Sequence, residues 1–173
     1  MHDGVPRTRT VVIVLAIVAL LVMWQSVTAV WGGAEVRQGA RQARHTFLDA
    51  NIRAYRVEFA TSCFCFNTHV RVTVVDGDIV RVERMKLGDW DDPFPDQVLA
   101  TTHTLPKEDR WLERYLVFPR VFGTIAAQSD ADVIDADFDG PFGTPTEFFV
   151  NPKRSTFDDE FSASWRDFEV LNR

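Results

Sequence analysis

The chain has 173 residues, 46% of them apolar and 12% aromatic, with a formal net charge of -6. That composition excludes a disordered chain, and the length leaves room for one ordinary domain plus a short targeting element. Residues 1–85 hold 10 Lys/Arg against 7 Asp/Glu and residues 86–173 hold 9 against 18, so the halves carry +3 and -9. An acidic second half with no basic stripe argues against nucleic acid as a partner.

In chain order, the first feature is an uncharged stretch from Val11 to Trp31. Twenty-one helical residues span about 31 Å, close to the hydrocarbon thickness of a bilayer. Arg7 and Arg9 precede it, and Trp24 and Trp31 sit toward its far end, where indoles favour the interface. The stretch reads as a transmembrane signal anchor over 11–31, behind a cytoplasmic head over 1–10. Val27-Thr28-Ala29 and Gly32-Gly33-Ala34 offer small residues of the kind a signal peptidase accepts, so secretion after cleavage is the alternative fate. The apolar run is longer than a signal-peptide core, which favours retention at the membrane. Arg37, Arg41 and Arg44 oppose the leading arginines, so charge bias alone does not orient the span. The short head and the cysteines below place residues 34–173 outside the cytoplasm.

Gly32-Gly33 reads as a hinge. Val36, Ala40, Ala43, Phe47 and Ala50 then recur at helical spacing, predicting an amphipathic helix of about four turns. Tyr55, Val57 and Phe59 alternate with Arg56 and Glu58, as in a half-buried strand. Val70, Val72 and Val74 repeat the pattern, Asp76-Gly77 supplies a turn, and Val80 and Val82 return. Asp-Gly between alternating β-branched runs is a strong hairpin signal, so residues 52–85 read as a three-stranded meander. Residues 86–106, with four aspartates and three prolines, read as a loop. A short helix carries Trp111, Leu112, Tyr115 and Leu116, and Pro119 restarts a second one with Phe122 and Ile125. Strand-like runs follow at 132–138, 146–150 and 163–170.

The order predicts an α+β fold: an N-terminal transmembrane helix, then one domain with an antiparallel sheet and helices on one face, arranged as two αβββ units.

Cys63 and Cys65 are the only cysteines. Residues two apart in an extended strand are nearly 7 Å apart at Cα, the outer limit for a disulfide, and a bend at the strand end brings them within reach. In an exported domain the pair is expected to be joined, pinning the turn rather than stabilising the whole fold. A redox-active Cys-x-Cys is the sharper alternative, but no thioredoxin-like pattern accompanies it. A zinc site starting from Cys63, Cys65 and His69 lacks a second ligand cluster.

An informative order of motifs emerges. It runs through Tyr55-x-x-x-Phe59, Cys63-x-Cys65, the valine strand ending in Asp76-Gly77, the Phe118–Ile125 helix and a strand ending in Asp137-Phe138-Asp139. Gly143-Thr144-Pro145-Thr146-Glu147 closes it. Over roughly residues 45–151 this resembles the bacterial family called domain of unknown function 6174. The resemblance implies a small secreted or membrane-attached protein and brings no assigned activity. The chain departs from lipoprotein-type relatives in using a hydrophobic anchor, and from the usual pattern at Thr144, where an aromatic is common in the family.

Asp135-x-Asp137-x-Asp139-Gly140 copies the opening of a calcium-binding loop, making these three aspartates the weak metal candidates. The closing acid is one residue late, at Glu147, and Pro141 and Pro145 interrupt the loop. The plain reading is a strand whose alternate aspartates face water while Ile134, Ala136 and Phe138 face inward. His45, His69 and His103 are scattered, and no nucleophile motif, phosphate loop or dinucleotide fingerprint is present. No catalytic residue and no cofactor is expected. The function expected is a non-enzymatic binding or structural module of the cell envelope, meeting the membrane through its helix and a protein, peptide or lipid partner through its sheet. A thiol/disulfide redox factor using Cys63 and Cys65, or a calcium-dependent module, are the alternatives.

Overall fold

The computed structural model describes residues 7–63, 67–87, 97–128, 130–153 and 160–171; the side chains of residues 7–12, Ala16, 21–32 and Cys63 also lie outside the description. Helix α1 (Arg7–Asp49) is followed by strands β1 (Ala54–Cys63), β2 (Thr68–Val75), β3 (Asp78–Met85) and β4 (Val98–Thr102). A 3-10 turn (Lys107–Leu112) leads into helices α2 (Glu113–Leu116) and α3 (Phe118–Ala127). Strands β5 (Val133–Asp139), β6 (Thr144–Asn151) and β7 (Phe161–Val170) complete the elements among the described residues.

The strands form one antiparallel sheet of seven, in the order β4-β3-β2-β1-β7-β6-β5. Two meanders therefore meet at a central seam between β1 and β7. The expected α+β class holds. The expected pair of αβββ units requires correction, because the first meander has a fourth strand, β4. Its sequence, Val-Leu-Ala-Thr-Thr, has no apolar alternation and follows a proline- and aspartate-rich run, so periodicity offers no strand signal there. Pairing with β3 from Val82↔Thr102 to Met85↔Val98 supplies what the pattern lacks.

Register places the valines on one face: Tyr55 lies opposite Val74, Val57 opposite Val72, and Phe59 opposite Val70 and Trp165. The helices cover this face. Val36, Ala40, Ala43 and Phe47 of α1 enter the same core as Leu112, Leu116, Phe118, Phe122 and Ile125. Phe47 meets Tyr55 edge-on with ring centroids 5.9 Å apart, and Phe118 stacks on Tyr55 at 5.0 Å. Such aromatic pairs add about 0.5–1.5 kcal/mol each beyond the area they bury.

The predicted hairpin forms at Asp76-Gly77, both with positive φ (50° and 85°), the requirement of a two-residue turn matched to strand twist. Strand β7 contains a bulge. Arg56 pairs with Glu169 and Glu58 with Arg166, so Asp167 and Phe168 together face Val57. Asp167 takes the left-handed conformation (φ 52°). The extra residue brings Phe168 onto the same face as Trp165, three positions away, where it stacks on Phe118 at 5.4 Å.

The expected hinge at Gly32-Gly33 is also corrected, since α1 runs unbroken from Arg7 to Asp49. Glycine in a helix costs about 1 kcal/mol relative to alanine, less than the cost of nucleating a second helix, so an established helix propagates through the pair. Among the described side chains of α1, those in the core cluster belong to its last third. Among the described residues no helix is long and apolar enough to cross a membrane. In the apolar stretch itself, Ile13, Val14, Leu15, Ile17, Val18 and Leu20 are between 51% and 63% exposed.

Candidate functional site

The sheet face away from the helices carries a lattice of charges. Cross-strand register sets Arg166, Glu58, Arg71, Glu83 and Thr101 in one row across β7, β1, β2, β3 and β4. The next row holds Arg56, Thr73 and Arg81. Opposite charges directly across a sheet stabilise it, and here signs alternate along the row.

Glu58 is the centre of this lattice and is only 1% exposed. Arg71 donates to its Oε1 through both Nε (2.7 Å) and Nη2. The buried ring of His69 places Nε2 3.5 Å from Glu58 Oε2. Its Nδ1 lies 2.9 Å from the Lys86 carbonyl oxygen, which can only accept, so Nδ1 carries a proton and donates. Arg81 donates to Glu83 at 2.9 Å, and Arg56 pairs with Glu169 at 2.5 Å. Each of these carboxylates is thus held by an arginine, an arrangement that fixes shape and charge.

Other buried polar groups serve packing. The Tyr55 hydroxyl donates to the Leu116 carbonyl (3.1 Å) and accepts from the Phe118 amide (2.9 Å), closing the break between α2 and α3. Burial pushes this phenol well above its usual range, against smaller opposite effects of the Phe118 hydrogen bond and Arg120. The Trp165 indole donates to the Tyr115 carbonyl at 2.8 Å. Arg84, on the helix side, donates to the buried Asp109 of the 3-10 turn at 2.9 Å.

The candidates from sequence fall as follows. Cys63 ends β1; its side chain and the whole of Cys65 lie outside the described residues, and so does the expected bridge. Asp135, Asp137 and Asp139 are exposed at alternate positions along the edge strand β5. Asp139 uses Oδ1 to accept from the Gly140 amide at 2.6 Å and so caps the turn to β6. Among the described residues no group of three His, Cys, Asp or Glu side chains is gathered as a metal site would need. His45 pairs with Asp49 one helical turn on, at 2.7 Å, and His103 is exposed beyond β4. Among the candidates whose side chains are described, only His69 meets the Glu58 lattice.

Sequence reasoning missed Glu58 and Arg71 as partners. The alternation around Glu58 was visible, but facing residues follow only from register, which alternation within one strand does not fix.

The architecture is that of an α+β domain whose helices cover one sheet face and leave the other charged. The model for the family of unknown function (DUF6174) matches residues 39–170, from the packed third of α1 to the end of β7. The chain belongs to that family. No curated protein and no solved structure matches it.

Proposed function

We propose that this chain is a membrane-anchored binding or structural module of the cell envelope, with its domain outside the cytoplasm and the charged sheet face offered to a protein, peptide or lipid partner. The observation that carries the reading is the outward-facing apolar part of α1: six large aliphatic side chains more than half exposed on a helix whose core residues Val36, Ala40, Ala43 and Phe47 lie farther on. Such a surface is stable in hydrocarbon and costly in water, at about 25 cal/mol per Å². In an oxidising compartment Cys63 and Cys65 are joined and pin the β1–β2 connection. A non-catalytic role is supported by the pairing of Glu58, Glu83 and Asp109 with arginines.

Enzyme reporters that work only outside, or only inside, the cytoplasm, fused after Arg173, test the location. Activity of the external reporter is the expected result; activity of the internal one alone overturns the proposal. Crosslinking from the sheet face in intact cells, at Thr73 or Arg81, is expected to capture a discrete partner that helix-face positions do not.

A further inference from the structure

We infer that anchor and domain are one rigid body that holds a defined rim of the domain against the bilayer surface. This rests on the anchor reading above and adds an orientation to it.

Helix α1 has no break between its apolar stretch and its packed third, and Val36, Ala40, Ala43 and Phe47 lock that third into the core. The domain contacts climb the helix in order. Arg37 bridges to Asp130 at 3.2 Å; a Cβ on Gly39 would meet Phe138 at 3.4 Å; a Cβ on Gly143 would meet Ala43 at 3.1 Å; and Phe47 meets Tyr55. At 1.5 Å per residue, Arg37, Ala43 and Phe47 lie about 9, 18 and 24 Å beyond Trp31 along the axis. The headgroup layer is about 5–7 Å thick, so Asp130 sits at its outer margin.

Strand directions extend the order to the rest of the sheet. β5 rises with α1 from Asp130 toward Gly143, so β7 also rises while β1 and β3 descend. The near rim therefore holds the α3–β5 connection and the end of β3, where exposed Lys86 precedes Leu87, 52% exposed. An aliphatic side chain beside a lysine suits the boundary between headgroups and water. The far end holds the Asp76-Gly77 hairpin, with the Asp76 amide bonded to the Arg53 carbonyl at 2.7 Å just past the helix end.

The test uses the full chain in vesicles that contain lipids with a nitroxide on the headgroup. A fluorescent residue is encoded at Asp130 or at Asp78, and in each case in a second version with a ten-residue Gly-Ser insertion after Gly33. Quenching at Asp130 is expected to be at least threefold stronger than at Asp78, and the insertion is expected to abolish that contrast while the melting temperature stays the same. Equal quenching at the two sites, or a contrast that survives the insertion, overturns the orientation while leaving the anchor intact. A chain that does not float with the vesicles overturns both.

Discussion

The Tyr55 hydroxyl and the Phe118 amide are 2.9 Å apart across a separation of 63 residues, and the same oxygen donates to Leu116. Strand β1 thereby holds the start of α3, and through it the aromatic cluster of Phe47, Phe118 and Phe168. Tyr55→Phe keeps the ring and leaves a buried amide without its acceptor, so a loss of about 1–3 kcal/mol is expected in urea denaturation.

The same hydroxyl gives a pH dependence. Its folded pKa is raised above the unfolded value of about 10, so the stability tied to the neutral phenol is complete below that value and is lost as pH rises beyond it. Melting curves between pH 8 and 11 are expected to show a decline that starts near pH 10 and is smaller in Tyr55→Phe.

Glu58 and Arg71 form a pair whose carboxylate is buried. Removing one partner leaves the other charge uncompensated, and Glu58→Ala is expected to cost about 3 kcal/mol. Glu58→Gln combined with Arg71→Gln is expected to cost less than the sum of the single changes by at least about 1 kcal/mol, read from a double-mutant cycle.

Two backbone positions separate glycine from other residues. Asp167 has a left-handed φ of 52°, so Asp167→Gly is expected to be neutral or mildly stabilising, whereas Asp167→Val loses about 1–2 kcal/mol. Gly143 has φ 61° and lies against the α1 backbone, where a Cβ would come 3.1 Å from Ala43 Cα and 3.3 Å from its carbonyl oxygen. Gly143→Ala is therefore expected to cost more than strain alone, about 2–3 kcal/mol, with a melting-temperature drop of several degrees.

Most of the architecture was legible in local patterns. Tyr55, Val57 and Phe59, the valines of β2 and the Asp76-Gly77 turn marked the first hairpins, and Pro119 marked the second helix; all appear within a few residues of their expected places. What failed were features that local chemistry leaves undecided. Gly32-Gly33 looked like a break because glycine is a weak helix former, but an established helix passes through it. β4 has no alternation and exists because β3 offers an edge. The Glu58 lattice depends on register across five strands. Trp165 and Phe168 are three apart and share the core face only because the strand bulges between them, which their spacing alone does not reveal.

The position of β7 bears on how the molecule is made. Synthesised after the other six strands, it lies in the middle of the sheet, between β1 and β6. Until residues 161–170 emerge, the edges of both meanders stay open to mispairing with other chains. Assembly must therefore wait until β7 has been made, and a ribosome that stalls before Phe161 leaves two unjoined parts of the sheet rather than a smaller working domain.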